Sequence, residues 1–211
     1  MKIHSLLNTP VETIIFDLGG VILNIDYQLT IDAFNQLGID NFGQLYTQAS
    51  QEGVFDDFER GDIGEKAFLD YLTEHLPNHI TEEQIIRAWN AMLLDWDMRK
   101  FELLNRLRPD YKTVLLSNTN SIHEQAFLYS LKQETGFSKL DNHFDRVFLS
   151  HQIRRRKPDT EAFQYVLDAI GTDAPNTLFI DDSIQHIEGA KKIGIQTYHI
   201  TQKDEILQLF S

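Results

Sequence analysis

IIFDLGGVILNID, residues 14–26, runs from an unbroken apolar segment straight into an acid and two glycines. Residues 13–18 read as a short strand buried on both faces, because such strands carry a continuous apolar run rather than an alternating one. Asp17 then stands at the tip of that strand. Gly19 and Gly20 follow, and a chain without Cβ atoms lets backbone N–H groups come close to an anionic ligand.

The pattern changes beyond this stretch. Tyr27–Leu37 and Glu65–Leu76 place apolar residues at helical spacing. Thr81-Glu82-Glu83-Gln84 is a capping-box pattern that opens a helix through Leu94. Asp97 can cap another helix to about Arg108. After Pro109 strands and helices alternate. The strands are Lys112–Asn118, Asp145–Ser150, Thr177–Asp182 and Ile195–Ile200. The helices end near Glu134, Ile170 and Ile193, and Asp159 opens the second. Strands alternating with helices predict βαβ units and a parallel sheet. The expected fold is α/β: a Rossmann-like core from residues 1–24 and 109–211, with a helical cap, residues 25–108, inserted after the first strand. A cleft should lie between the two.

The chain has 211 residues, 42% of them hydrophobic, with a formal net charge of −13 and no cysteine. That composition supports a sizeable core. It removes disulfides, thiol catalysis and thiolate zinc sites. An acidic surface repels nucleic acid and anionic membranes, so neither is expected as a partner. No apolar run reaches the length of a membrane span, and a cytoplasmic location is expected. A phosphorylated ligand would need its own local positive charge.

Four polar clusters fall at predicted strand ends: Asp17 with Gly19-Gly20, Ser117-Asn118-Thr119, Lys157 in RRRKPD, and Asp181-Asp182-Ser183. In an open parallel sheet, ligands bind outside the carboxyl ends of the strands. Asp17 with one or both of Asp181 and Asp182 offers hard oxygen ligands suited to Mg²⁺. A carboxylate can act as a nucleophile and form an aspartyl-phosphate. Ser117 supplies a hydroxyl, Asn118 an amide, and Lys157 the missing positive charge.

These motifs, in this order, resemble those of the haloacid dehalogenase superfamily, and specifically its phosphatases with a helical cap after the first strand. FDLGGVI is similar to the first motif, LLSNT to the second, RRRKPD to the third and LFIDDS to the fourth. The resemblance implies Asp17 as nucleophile and metal ligand, and the backbone oxygen of Gly19 as a further ligand. It implies Asp182 as the direct metal ligand with Asp181 beside it, and Ser117 and Lys157 as phosphate ligands. Within the superfamily the chain looks like the bacterial alpha-D-glucose-1-phosphate phosphatase subgroup. That subgroup shares the glycine two residues after the nucleophile, the ERGDI string at Glu59–Ile63 and LSNTN at Leu116–Asn120.

The sequence departs from the superfamily pattern twice. Gly19 replaces the usual acid/base Asp, which predicts a preference for phosphates on stabilised leaving groups, such as an anomeric oxygen. Arg154 stands where a glycine commonly precedes the lysine loop. The expected activity is Mg²⁺-dependent hydrolysis of a small phosphorylated metabolite. The rivals are a metal-independent 2-haloacid dehalogenase and a non-catalytic binder of a phosphorylated metabolite or protein partner.

Other signals are read as structural. Pro77 interrupts the His75–His79 pair, and His123-Glu124 lacks the second histidine of a zinc-protease motif. Arg154–Arg156 is a short basic run on an acidic chain. Trp89 and Trp96 are read as packing residues, Glu59 and Arg60 as a surface ion pair, and Asp26 as a turn cap.

Overall fold

The computed structural model describes residues 10–38, 53–74, 76–77 and 79–210. Its elements are, in chain order, β1 (Thr13–Phe16), β2 (Leu23–Ile25), α1 (Tyr27–Gln36), α2 (Val54–Glu59), α3 (Glu65–Glu74), α4 (Glu82–Trp89), β3 (Leu93–Trp96) and α5 (Met98–Leu107). There follow β4 (Lys112–Ser117), α6 (Ser121–Thr135), β5 (Arg146–Leu149), α7 (Ser150–Ile153), α8 (Thr160–Ile170), β6 (Thr177–Asp181), α9 (Ile184–Lys191), β7 (Gln196–His199) and α10 (Glu205–Leu209).

The main sheet runs in the order β5-β4-β1-β6-β7, and every neighbouring pair is parallel. β1 is its central strand. Ile14 and Phe16 point into one apolar cluster, with Leu115, Leu178 and Ile180. Ile15 points into the opposite cluster, with Val114, Leu116 and Phe179. Both faces are therefore covered by helices, which is why the first strand reads as an unbroken apolar run. Each such side chain contributes roughly 1.5–3 kcal/mol by leaving water.

Helices α1 to α4 form a second cluster built around Phe34, Phe55, Phe58, Phe68 and Trp89. The Phe58 and Phe68 rings stack with centroids 4.2 Å apart. The capping box at Thr81 is present, with Thr81 and Gln84 bonding each other's backbone N–H. The helix it opens is shorter than expected. It ends at Trp89 and gives way, after one turn of 3₁₀ helix, to β3. β3 pairs antiparallel with β2, Leu23 facing Trp96 and Ile25 facing Leu93. This small ribbon carries the chain out to the cap and back. Helix α5, counted with the cap in the sequence, places Phe101, Leu103, Leu104 and Leu107 in the sheet's own cluster. His75 of the discounted histidine pair lies outside the described residues.

Candidate active site

Strand order brings the predicted residues together. β4, β1 and β6 lie side by side, so Ser117 at the end of β4, Asp17 just past β1 and Asp181 at the end of β6 share one edge. The Asp17 backbone N–H donates to the Ile180 carbonyl at 2.9 Å and keeps the acid in register with the sheet. Lys157 arrives from the loop between α7 and α8. The Asn118 side chain fastens that loop, donating to the Lys157 carbonyl at 2.8 Å and accepting from the Lys157 N–H at 2.9 Å. Asn118 was expected to offer its amide to a ligand. That amide also holds the lysine loop in place, and the residue lines the cleft.

The Lys157 ammonium is fully buried. It donates at 2.7 Å to Asp17 Oδ1 and at 2.7 Å to Asp181 Oδ2. Burial alone would drive a lysine toward its neutral form, but the two carboxylates reverse this and raise its pKa. Burial pushes Asp17 up, and Lys157 offsets this only in part. Asp181 is held at about 2. Burial opposes that shift, and Lys157 and His186 outweigh it. Asp182 is pushed up to about 7 by burial and by the charges of Asp17 and Asp181.

The two adjacent acids differ in what they touch. Asp181 accepts from Lys157, from the Ser183 N–H at 2.7 Å and from His186 Nδ1 at 3.0 Å. Among the described residues the Asp182 carboxylate has no hydrogen-bond partner on another side chain, and it faces the cleft. Gly20 makes its position possible. A Cβ there would lie 2.1 Å from Asp182 Oδ2, and the backbone sits at φ +72°, where other residues are strained. Gly19 is different. Its backbone needs no glycine, and a Cβ would meet only the tip of the Ile25 side chain, at 2.9 Å. The Ser117 hydroxyl makes a single long contact, 3.4 Å to the Asn118 carbonyl, so it is available to a ligand.

Ligand oxygens of Asp17, Asp181 and Asp182 all lie within 4.8 Å of one another. So many carboxylates around one ammonium leave negative charge to be neutralised. An all-oxygen set with a raised Asp182 pKa fits Mg²⁺, which takes a few protein carboxylates and keeps several waters. Asp17 and Asp182 open into a cleft lined also by Gly19, Ile25, Tyr27, Met92 and His123. A neighbouring chamber continues from it past Glu59, Arg156 and Gln185.

Several residues here carried no readable signal. His186 contacts Asp181 only because Ser183 begins a helix that turns it back toward the strand end. Arg156 pairs with Asp56 at 2.6 Å and Glu59 at 2.9 Å, both on α2. Glu59 is therefore largely buried against the core and is not a surface residue. Arg154 pairs with Asp62 at 2.6 Å, and Arg155 lies over the Tyr165 ring at 4.7 Å. The basic run is thus engaged within the chain. Arg154 adopts φ 55°, the conformation that a glycine would take without strain. Trp89 and Trp96 are buried, as expected, and Asp26 caps α1 by accepting from Gln28 N–H at 2.9 Å.

Among the described residues no helix is long and apolar enough to cross a membrane. The model of the haloacid dehalogenase-like hydrolases matches residues 11–194. A D-ribitol-5-phosphate phosphatase of Bacteroides thetaiotaomicron is 30% identical over 192 residues, spanning 89% of this chain and 91% of that protein. A phosphorylated carbohydrates phosphatase of Thermotoga maritima is 23% identical, spanning 88% and 82%. A HAD-family enzyme of B. thetaiotaomicron, solved as an aspartate-to-alanine variant with magnesium and inorganic phosphate, superimposes with a TM-score of 0.88. It is 32% identical, covering 95% of this chain and 99% of that one. Matched by that family model over residues 11–194, and by a relative 30% identical over most of both chains, the chain belongs to the haloacid dehalogenase-like hydrolase family.

Proposed function

We propose that this phosphatase, with Mg²⁺ as its cofactor, hydrolyses small phosphorylated sugars or polyols through a phosphorylated Asp17. One observation carries the reading: the buried Lys157 ammonium bridges Asp17 and Asp181 at 2.7 Å each, beside a free Asp182 and a free Ser117 hydroxyl. Asp17 is the nucleophile. Its second oxygen attacks phosphorus, and the bond from phosphorus to the substrate oxygen breaks with its electron pair. The departing oxygen takes a proton from water. A second water attacks the acyl phosphate at phosphorus, which releases inorganic phosphate and restores the carboxylate.

Lys157 and the Ser117 hydroxyl stabilise charge on the transferring oxygens. Asp17, Asp182 and the Gly19 carbonyl would hold the metal, with Asp181 anchoring Lys157. Bound Mg²⁺ neutralises the carboxylates and the phosphate so that two anions can meet. A metal-independent dehalogenase would leave three carboxylates within 4.8 Å of one another with one lysine between them, which counts against that rival.

The substrate class follows the relatives, named for D-ribitol-5-phosphate and for phosphorylated carbohydrates. Ribitol-5-phosphate carries its phosphate on a primary alcohol. The class drawn from these relatives therefore includes such esters beside the anomeric phosphates that Gly19 would favour. A screen of sugar and polyol phosphates tests this. Phosphate release is expected with Mg²⁺, abolished by EDTA and restored by excess Mg²⁺. Full activity in chelator, or release of halide from a 2-haloacid, would contradict it.

A further inference from the structure

His123 lies on the first turn of α6, where the two chambers of the cleft meet, and it lines both. Its ring stacks on Trp89 of α4, centroids 5.1 Å apart and planes 1° from parallel. Nδ1 lies 2.8 Å from Asn90 Oδ1. An amide oxygen only accepts, so Nδ1 carries the proton and Nε2 is left as a bare lone pair. Burial keeps the imidazole neutral, with its pKa near 3. Among the described residues Nε2 has no partner, and it is not sealed from the cleft.

The ring is fixed from both sides. Asn120 Oδ1 accepts from the His123 N–H at 3.0 Å and from the Trp89 indole N–H at 3.3 Å, so one side chain sets the core residue and the cap residue together. Across the second chamber, Gln185 has no side-chain partner among the described residues. The chamber thus offers a fixed acceptor and an adaptable amide. A hydroxyl satisfies both, since it donates to the ring and pairs with either end of the amide. An alkyl chain does neither.

We propose that His123 is a specificity residue whose Nε2 accepts a hydrogen bond from a hydroxyl of the leaving group, so that hydroxylated phosphates are selected over alkyl phosphates of equal length. The proposal rests on the phosphatase reading above. An alkyl chain would cover the acceptor without replacing its water, which costs at least about tenfold in selectivity.

The test measures kcat/KM with Mg²⁺ for D-ribitol-5-phosphate and for pentyl phosphate. Wild type is expected to favour the polyol at least about tenfold. His123→Phe keeps a ring against Trp89 but lacks the acceptor, and the ratio should fall toward one. His123→Gln returns an acceptor and should restore part of it. An unchanged ratio in folded His123→Phe overturns the proposal. If that variant does not fold, an unchanged ratio in folded His123→Leu, which also lacks the acceptor, does so instead. Wild type that hydrolyses neither phosphate overturns the phosphatase reading, and this proposal with it.

Discussion

Residue 19 is a glycine and offers a departing oxygen no carboxylic acid. Asp26, the nearby acid in sequence, is engaged as the cap of α1. A general acid contributes about 10²–10⁴-fold when the leaving group is poor. The phosphorylation step should therefore depend steeply on leaving-group basicity across substituted phenyl phosphates. The backbone at Gly19 would accept a side chain, and the obstacle is Ile25 Cδ1 at 2.9 Å. Gly19→Asp combined with Ile25→Val, which removes that methyl, should flatten the dependence. A flat dependence in the wild type would mean that another acid is present. His123 gives a second prediction at this scale. Its folded pKa of about 3 lies below its ordinary value of 6.5. Between those values the unfolded chain binds the extra proton. The stability that depends on neutral His123 is complete above pH 6.5 and is lost as pH falls toward 3. The slope is about 1.4 kcal/mol per pH unit. Between pH 7.5 and 5.0, denaturant titration should show wild type losing about 2 kcal/mol more than His123→Phe. Equal losses would refute this.

At the scale of elements, α2 and the Lys157 loop are tied together. Arg156, next to Lys157, is mostly buried between Asp56 and Glu59, and burial raises the pKa of both acids. Arg156→Gln leaves two mostly covered acids without their cation. It should cost about 2 kcal/mol of stability and raise KM more than it lowers kcat, because the cap face of the cleft loosens. A Tm and KM both unchanged would remove the tie. None of this was legible in RRRKPD, since each partner lies about a hundred residues away and charge alone does not name a partner. The five sheet strands and the caps at Thr81 and Asp97 were legible, because period and capping are local signals. The β2–β3 ribbon was not. It has three and four residues per strand and is held by pairing between distant segments. Leu93 and Leu94 therefore read as the end of a helix. Asp17, Ser117 and the acid pair could be singled out because each stands at a strand end, whereas Lys157 comes from the loop after α7 and was marked by its RRRKPD string. His186 and His123 were missed as cleft residues, because helix rotation, and no motif, aims them at the cleft.

The whole molecule sets one sign of charge against another. A chain of net charge −13 would admit a phosphate only where a buried ammonium such as Lys157 and a bound cation offset the local field. The parallel sheet supplies that place by ending three adjacent strands at one edge, and the apolar cluster of α1 to α4 forms the cap beside it. α5 packs in the sheet's own cluster and not in that of α1 to α4. The central claim is that the phosphoryl group passes through Asp17. The direct measurement mixes enzyme, Mg²⁺ and substrate, quenches in acid during turnover, reduces with borohydride and sequences the peptides by mass spectrometry. The account predicts homoserine at position 17 and nowhere else, and a loss of turnover of at least about a thousand-fold in Asp17→Asn. Phosphate release at full rate with Asp17 unmodified, or a tenth of the rate retained by Asp17→Asn, would contradict it.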